Sequence, residues 1–242
     1  MFAAVRLIHC KGRAPLNRKR LITSEKINLC GDAFFFVITA RVYKNKIPCK
    51  EIKKYAGRYA SSLIFPESKS EAVSELDEIR LFNSSVLFLS KSPEPADNRS
   101  VCVYDRNSLF CEHLEKLIPL ASSLHVICPE KEKYYSAAEY ILREYGAAVS
   151  VSAEWSGVAD FCNNVIASDS NILPLGYRGR VFTLKRRTLP FARLISGEGI
   201  ILPSEYEKVL PEKIDRKVFA EALYLKCGIK ELGECAYERL CY

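Results

Sequence analysis

Ser-Val-Cys-Val-Tyr-Asp-Arg-Asn-Ser, residues Ser100 to Ser108, is the stretch that decides how this chain is read. A short apolar run ends in a carboxylate and passes at once into small polar residues, the pattern of a buried strand that gives way to a helix. The same alternation repeats downstream. Leu109, His113, Leu114, Leu117 and Ile118 fall at helical spacing, and Leu124 to Cys128 reads as a second strand stopped by Pro129. Tyr134, Ala138, Ile141, Leu142 and Tyr145 mark a second helix, with Gly146 suited to its end. Ala147 to Val151 is a third strand, Gly157 to Cys162 a short crossover helix, Asn164 to Ala167 a fourth strand and Arg180 to Lys185 a fifth. Short strands separated by helices pair in parallel, because each crossover returns the chain to the same end of the sheet.

Working outward, Phe2 to Ile8 and Ala33 to Tyr43 read as strands joined by a basic loop. Pro48 is placed to open a helix running to about Gly57, since the first helical turn has no use for the amide hydrogen that proline lacks. Ala60 to Phe65 is a short strand stopped by Pro66, and Ser68 to Asp77 is a polar, acidic loop or exposed helix. Periodicity leaves Phe82 to Ser90 open between strand and buried helix. Lys91 to Arg99, with its two prolines among polar residues, reads as a linker. These features predict an N-terminal α/β module over residues 1–95 and a second domain over 96–242, closed by an amphipathic helix at Asp215 to Cys227.

Composition sets the outer limits. The chain has 242 residues, 48% hydrophobic and 27% charged, which is ordinary for a soluble globular protein. A chain of this size buries roughly 70% of its extended surface. The start shows no basic head before its apolar part and predicts no signal peptide. The apolar run Ala33 to Ala40 is far shorter than the roughly 18 residues a membrane span needs, so no membrane association is expected. None of the ten cysteines forms a Cys-x-x-Cys pair, and reduced thiols in a cytoplasmic protein are the expectation. Cys227, Cys235 and Cys241 form a loose group whose spacing is unspecific for metal, and no metal site is assigned.

Charge is unevenly spread. Residues 1–60 carry 14 basic against 3 acidic residues, whereas the chain as a whole is only +7. Lys11 to Arg20 is the densest part. Such a block suits an anionic partner, either a small molecule or nucleic acid, but it contains no aromatic residue to stack on bases. A second basic group, Lys185-Arg186-Arg187 with Arg178 and Arg180 nearby, could neutralise a phosphate or form a solvated turn.

Residues 100–185 resemble a Rossmann-like domain, and the whole layout resembles uncharacterised bacterial proteins that place a small α/β module before one. The resemblance implies a doubly wound parallel sheet with a ligand at the carboxyl ends of its strands, where similar folds take NAD, S-adenosylmethionine or nucleotides. A dinucleotide site of this kind carries Gly-x-Gly-x-x-Gly after the first strand. Here the stretch is Asp105-Arg106-Asn107-Ser108-Leu109-Phe110, with a carboxylate at the first glycine position and a bulky ring near the third, which opposes diphosphate binding. No cofactor is therefore assigned.

The strand ends supply the candidate ligand-binding residues: Asp105, Arg106, Asn107 and Ser108 after the first strand, Glu130 after the second, and Ser168 and Asp169 after the fourth. Glu154 and Trp155 follow the third. Asn107 or Ser108 can cap the following helix, and free amides beside it can hold an anion. Asp105 and Asp169 could hold magnesium. The three histidines, His9, His113 and His125, have no partner at a catalytic spacing, so no nucleophilic triad and no reaction is assigned. Two functions follow as expectations. One is a small-molecule- or nucleotide-binding Rossmann-like protein; the other is a non-enzymatic scaffolding or nucleic-acid-associated module that uses the basic N-terminal region.

Overall fold

The computed structural model of the chain describes residues 1–12, 15, 21–70, 72–155, 157–158, 161–184 and 189–242. Its first strands are β1 (Ala3–Cys10), β2 (Ile22–Asn28), β3 (Phe34–Tyr43) and β4 (Leu63–Ile64), in the order β2-β3-β1-β4. β1 runs parallel to β3 and β4, and β2 is antiparallel to β3 at the edge. β2 was not expected from the sequence. Its residues Ile-Thr-Ser-Glu-Lys-Ile-Asn are mostly exposed, as an edge strand allows. The helix α1 (Cys49–Ala56) starts after Pro48 as expected and buries Ile52 and Ala56 against Ala3, Val5, Ile38 and Ala40. β4 is shorter than predicted, because residues Gly57–Ser62 form a 3-10 turn.

The sheet that carries the candidate site begins one helix later. α2 (Glu75–Ser90) resolves the ambiguity of Phe82 to Ser90 as helix. Ser74 starts it with a capping box: its hydroxyl accepts from the Asp77 amide while Asp77 accepts from the Ser74 amide. The strands that follow are β5 (Ser100–Tyr104), β6 (Ser123–Ile127), β7 (Val149–Ser152), β8 (Asn164–Ile166), β9 (Arg180–Phe182) and β10 (Arg193–Glu198). All six are parallel and lie in the order β7-β6-β5-β8-β9-β10. Counted from β5 that order is 3-2-1-4-5-6, the doubly wound arrangement of a Rossmann fold. The expected parallel sheet and its first four strands are present within a residue or two; the fifth, β9, starts at Arg180 as expected but ends at Phe182, with the expected end Lys185 outside the described residues, and β10, polar at both ends, was not anticipated.

The crossovers depart further from expectation. Residues Cys111–Leu120 form a 3-10 helix, with Pro119 inside it, in place of a regular α-helix. α3 (Glu132–Tyr145) is a regular crossover, closed by Gly146 in the left-handed conformation. The helix expected over 157–162 falls partly on residues 159–160, outside those described; Val158 and Phe161 make turn hydrogen bonds there.

The predicted linker is packed structure. The Arg99 side chain is buried, and its guanidinium donates to the carbonyls of Leu89 (2.7 Å), Ser92 (3.0 Å), Glu94 and Leu120 (3.4 Å). A cation thereby closes the C-terminal end of α2 and of the 3-10 helix together. Because Arg99 also leads into β5, α2 belongs with the parallel sheet, not with the N-terminal one.

The last segment corrects the second half of the domain division. α4 (Ser204–Glu207) and α5 (Arg216–Cys227) return to the N-terminal sheet. Phe219 of α5 packs edge-on against Phe2 (6.0 Å) and Phe35 (5.4 Å), which stack on each other at 5.0 Å. Without α5 this aromatic face would lie in water, which is the physical reason the helix belongs here. The chain therefore divides into Met1–Ala72 with Leu202–Leu232, and Val73–Ile201 with Gly233–Tyr242, in place of a single break near residue 95. The final strand β11 (Arg239–Cys241) adds antiparallel to β10. Its approach is fixed by Tyr237, whose hydroxyl donates to the Asp77 carbonyl and whose ring lies 4.0 Å under the buried Arg80 guanidinium. No helix of the described residues is long and apolar enough to cross a membrane.

Candidate functional site

In a 3-2-1-4-5-6 sheet the ligand crevice opens between the first and fourth strands, where successive connections leave in opposite directions. Here that is the gap between the carboxyl ends of β5 and β8, flanked by the loops that begin at Asp105 and Ala167. The sequence placed Asp105, Asn107 and Ser168 at this point, and the structure brings them together.

Asp105 is 2% exposed. One carboxylate oxygen accepts from the Asn107 amide at 3.2 Å; the other accepts from the Phe110 amide at 2.8 Å and from the Tyr134 hydroxyl. Burial and the adjacent carboxylate push the Tyr134 phenol well above its usual range, so it stays a proton donor. The carboxylate thus folds the loop back on itself and ties it to α3. Its acceptor positions are already committed inside the protein, which makes Asp105 a loop-forming residue.

Glu78, in the first turn of α2, is the residue that sequence reasoning missed. One of its oxygens accepts from Asn107 Nδ2 at 3.1 Å, and the other accepts from Ser168 Oγ at 2.8 Å. It therefore spans the crevice from the β5 loop to the β8 loop. Glu78, Leu81, Tyr104, Phe110, Ile166, Ala167 and Ser168 leave a space of only about 10 Å³ between them. That is room for roughly one water molecule. Phe82 of α2 stacks on Phe110, one of these lining residues, at 4.8 Å. The S-x-x-D signature at Ser74 to Asp77 was the available signal, because it marks a helix start and so puts Glu78 in a first turn.

Electrostatics act in the same direction. A helix N-terminus at a Rossmann switch point usually faces a phosphate. α2 carries Glu75, Asp77 and Glu78 in its first turn, so its positive end is already matched by carboxylates.

The other candidates are dispersed. Ser108 takes a left-handed backbone (φ 57°), and its hydroxyl lies 3.3 Å from the Cys128 thiol. Cys128 is fully buried, and burial pushes the neighbouring Cys111 thiol above its ordinary value. Glu130 pairs with Lys133 three residues on. Asp169 accepts from the Asn171 amide at 2.9 Å and caps a short 3-10 turn. Trp155 stacks on Tyr104 at 5.9 Å. Arg106 is exposed and makes no side-chain hydrogen bond or ion pair among the described residues. Among the described residues no group of three or more His, Cys, Asp and Glu is arranged to hold a metal ion, and the Asp105 carboxylate, which the sequence offered to magnesium with Asp169, already accepts from three donors of the protein. The basic residues 13, 18–20 and 185–187 lie outside the described residues.

No protein-family model matches the chain, and no curated protein matches it. Among solved structures, the ligand-free 5-ketofructose reductase of Gluconobacter sp. strain CHM43 aligns with 14% identity and a TM-score of 0.33, over 76% of this chain and 87% of that one. L-tryptophan dehydrogenase from Nostoc punctiforme aligns with 14% identity and a TM-score of 0.30, over 67% of this chain and 54% of that one. The strand order and parallel register establish the architecture: the chain has a Rossmann-like α/β fold with an additional four-stranded α/β unit.

Proposed function

We propose that this chain is a cytoplasmic small-molecule-binding protein whose Rossmann-like sheet serves as a scaffold and works without a dinucleotide. The observation that carries the reading is Glu78, which joins Asn107 to Ser168 across the switch point and leaves about 10 Å³ there. A diphosphate placed in that gap would have to displace a carboxylate and two hydrogen bonds, and would then face the acids of the α2 first turn. Free thiols at all ten cysteines support the cytoplasmic placement.

A thermal-shift series with NAD, NADP, S-adenosylmethionine, ATP and GTP, with and without magnesium, tests the proposal. NAD and NADP are expected to leave the melting temperature unchanged at millimolar concentration. A rise of several degrees with either would overturn it. A second reading keeps the ligand at the carboxyl edge, outside the closed gap, and is favoured by Arg106, which is exposed and has no side-chain partner among the described residues. Under that reading, Arg106→Ala abolishes whatever stabilisation the series uncovers.

A further inference from the structure

We propose that the opposite, amino-terminal edge of the same sheet binds the phosphate group of a small organic phosphate monoester through Arg178, Arg180 and Arg193. The proposal rests on the reading that the protein binds a small molecule other than a dinucleotide, and adds the place and the chemical class.

The site is a cavity of about 290 Å³ lined by Glu94, Asn163, Arg178, Gly179, Arg180 and Arg193. Three arginines and one glutamate contribute to its lining. Arg180 donates to Glu94 at 2.7 Å and to Asn164 Oδ1 at 3.4 Å. Among the described residues the side chains of the other two make no hydrogen bond or ion pair; Arg178 makes a ring contact, 5.6 Å from the centre of Phe191.

Register makes the arrangement costly without a ligand. Arg180 on β9 is the direct parallel partner of Arg193 on β10, so two like charges sit side by side on neighbouring strands. Glu94 offsets one charge and leaves a local excess of two, which matches a phosphate monoester dianion. Guanidinium forks are the side-chain groups best shaped to bind phosphate oxygens in pairs.

One wall of the cavity is closely packed. A Cβ at Gly179 would stand 2.1 Å from Tyr177 Oη and 2.6 Å from the Asn163 carbonyl. Glycine thus lets the backbone between Arg178 and Arg180 sit tight against the sheet. Arg193 also lines a second, larger cavity of about 630 Å³ with Ala192, Leu194 and Tyr242, which offers space for the organic part of a phosphate ester.

The test uses the full chain, with inorganic phosphate and ribose 5-phosphate as probes. Each is titrated calorimetrically at constant ionic strength maintained with sodium chloride. Ribose 5-phosphate is expected to bind more tightly than inorganic phosphate. Arg193→Ala and Arg178→Ala, both at exposed positions, are each expected to weaken binding at least about tenfold, the loss of one charge-assisted hydrogen bond. Arg143→Ala, on the exposed face of α3, is expected to leave it unchanged. No phosphate binding by the parent, or equal binding by the parent and both cavity variants, would overturn the proposal. Tighter binding of a single-stranded oligonucleotide without terminal phosphates than of ribose 5-phosphate would overturn the monoester assignment. These outcomes are separable from failure of the closed-crevice reading, which NAD binding by the Arg193→Ala variant would reveal.

Discussion

Replacing Asp105 by alanine should cost this protein about 2–6 kcal/mol of stability, from two buried donors left without an acceptor, far more than a ligand-binding carboxylate at a strand end would. Three donors lose their acceptor. The Asn107 amide belongs to an exposed residue and can turn to water, so its loss counts little. The Phe110 amide and the Tyr134 hydroxyl belong to residues 4% and 0% exposed, and each orphaned buried donor costs about 1–3 kcal/mol. Asp105→Asn keeps one acceptor but sets an amide donor against a donor, and should cost about half as much. Urea unfolding followed by the fluorescence of Trp155, the sole tryptophan, reads the change in the right unit, because its ring stacks on Tyr104 of β5. Arg106→Ala, at an exposed neighbouring position, should stay within about 0.5 kcal/mol of the parent. A loss below about 1 kcal/mol for Asp105→Ala, with an unchanged denaturant slope, would refute the structural role.

Arg99→Lys should destabilise by about 3 kcal/mol, since one ammonium cannot reach the four carbonyls the guanidinium holds and the rest are left buried; chemical denaturation measures it. Gly197→Ala should cost about 1–3 kcal/mol, because a Cβ there would stand 2.2 Å from the Tyr237 ring, and faster proteolysis of the C-terminal segment would report the displaced tail. In alkaline solution the sign follows from buried tyrosines. Tyr134 and Tyr177 are held protonated above the ordinary value near 10, chiefly by burial, so from about pH 10 upward the unfolded chain loses protons that the folded chain keeps. Stability should fall with a slope of about 1.4 kcal/mol per pH unit for each such tyrosine. Tyr177→Phe should make that slope shallower by about the same amount, and an unchanged slope would contradict the assignment.

The parallel sheet was legible because Val101 to Tyr104, Leu124 to Cys128 and Asn164 to Ala167 are nearly continuous apolar runs, as strands buried on both faces must be. β2 and β10 escaped notice because edge position or polar ends break that run. α2 was ambiguous for a different reason. It buries Phe82, Ser84, Ser85 and Leu89 around much of its circumference, and Ser85 satisfies its hydroxyl on the Leu81 carbonyl, so no clean polar face shows in the sequence. The linker reading of Lys91 to Arg99 failed because proline and polar residues mark a turn without saying whether it is packed. What packs it is one arginine whose acceptors lie up to 21 residues away. At the site, position along the strands was readable, so Asp105, Asn107 and Ser168 were found together. That Asp105 points inward and that Glu78 closes the gap depends on contacts 29 to 90 residues apart, which local pattern does not carry.

The closed switch point is tested most directly by isothermal titration of NAD and NADP into the full chain, in parallel with a Glu78→Ala variant. The parent is expected to give no binding heat up to several hundred micromolar ligand, because Glu78 already holds Asn107 and Ser168 across the gap. A micromolar or tighter dissociation constant for the parent would contradict the account, the more so if Glu78→Ala left that constant unchanged.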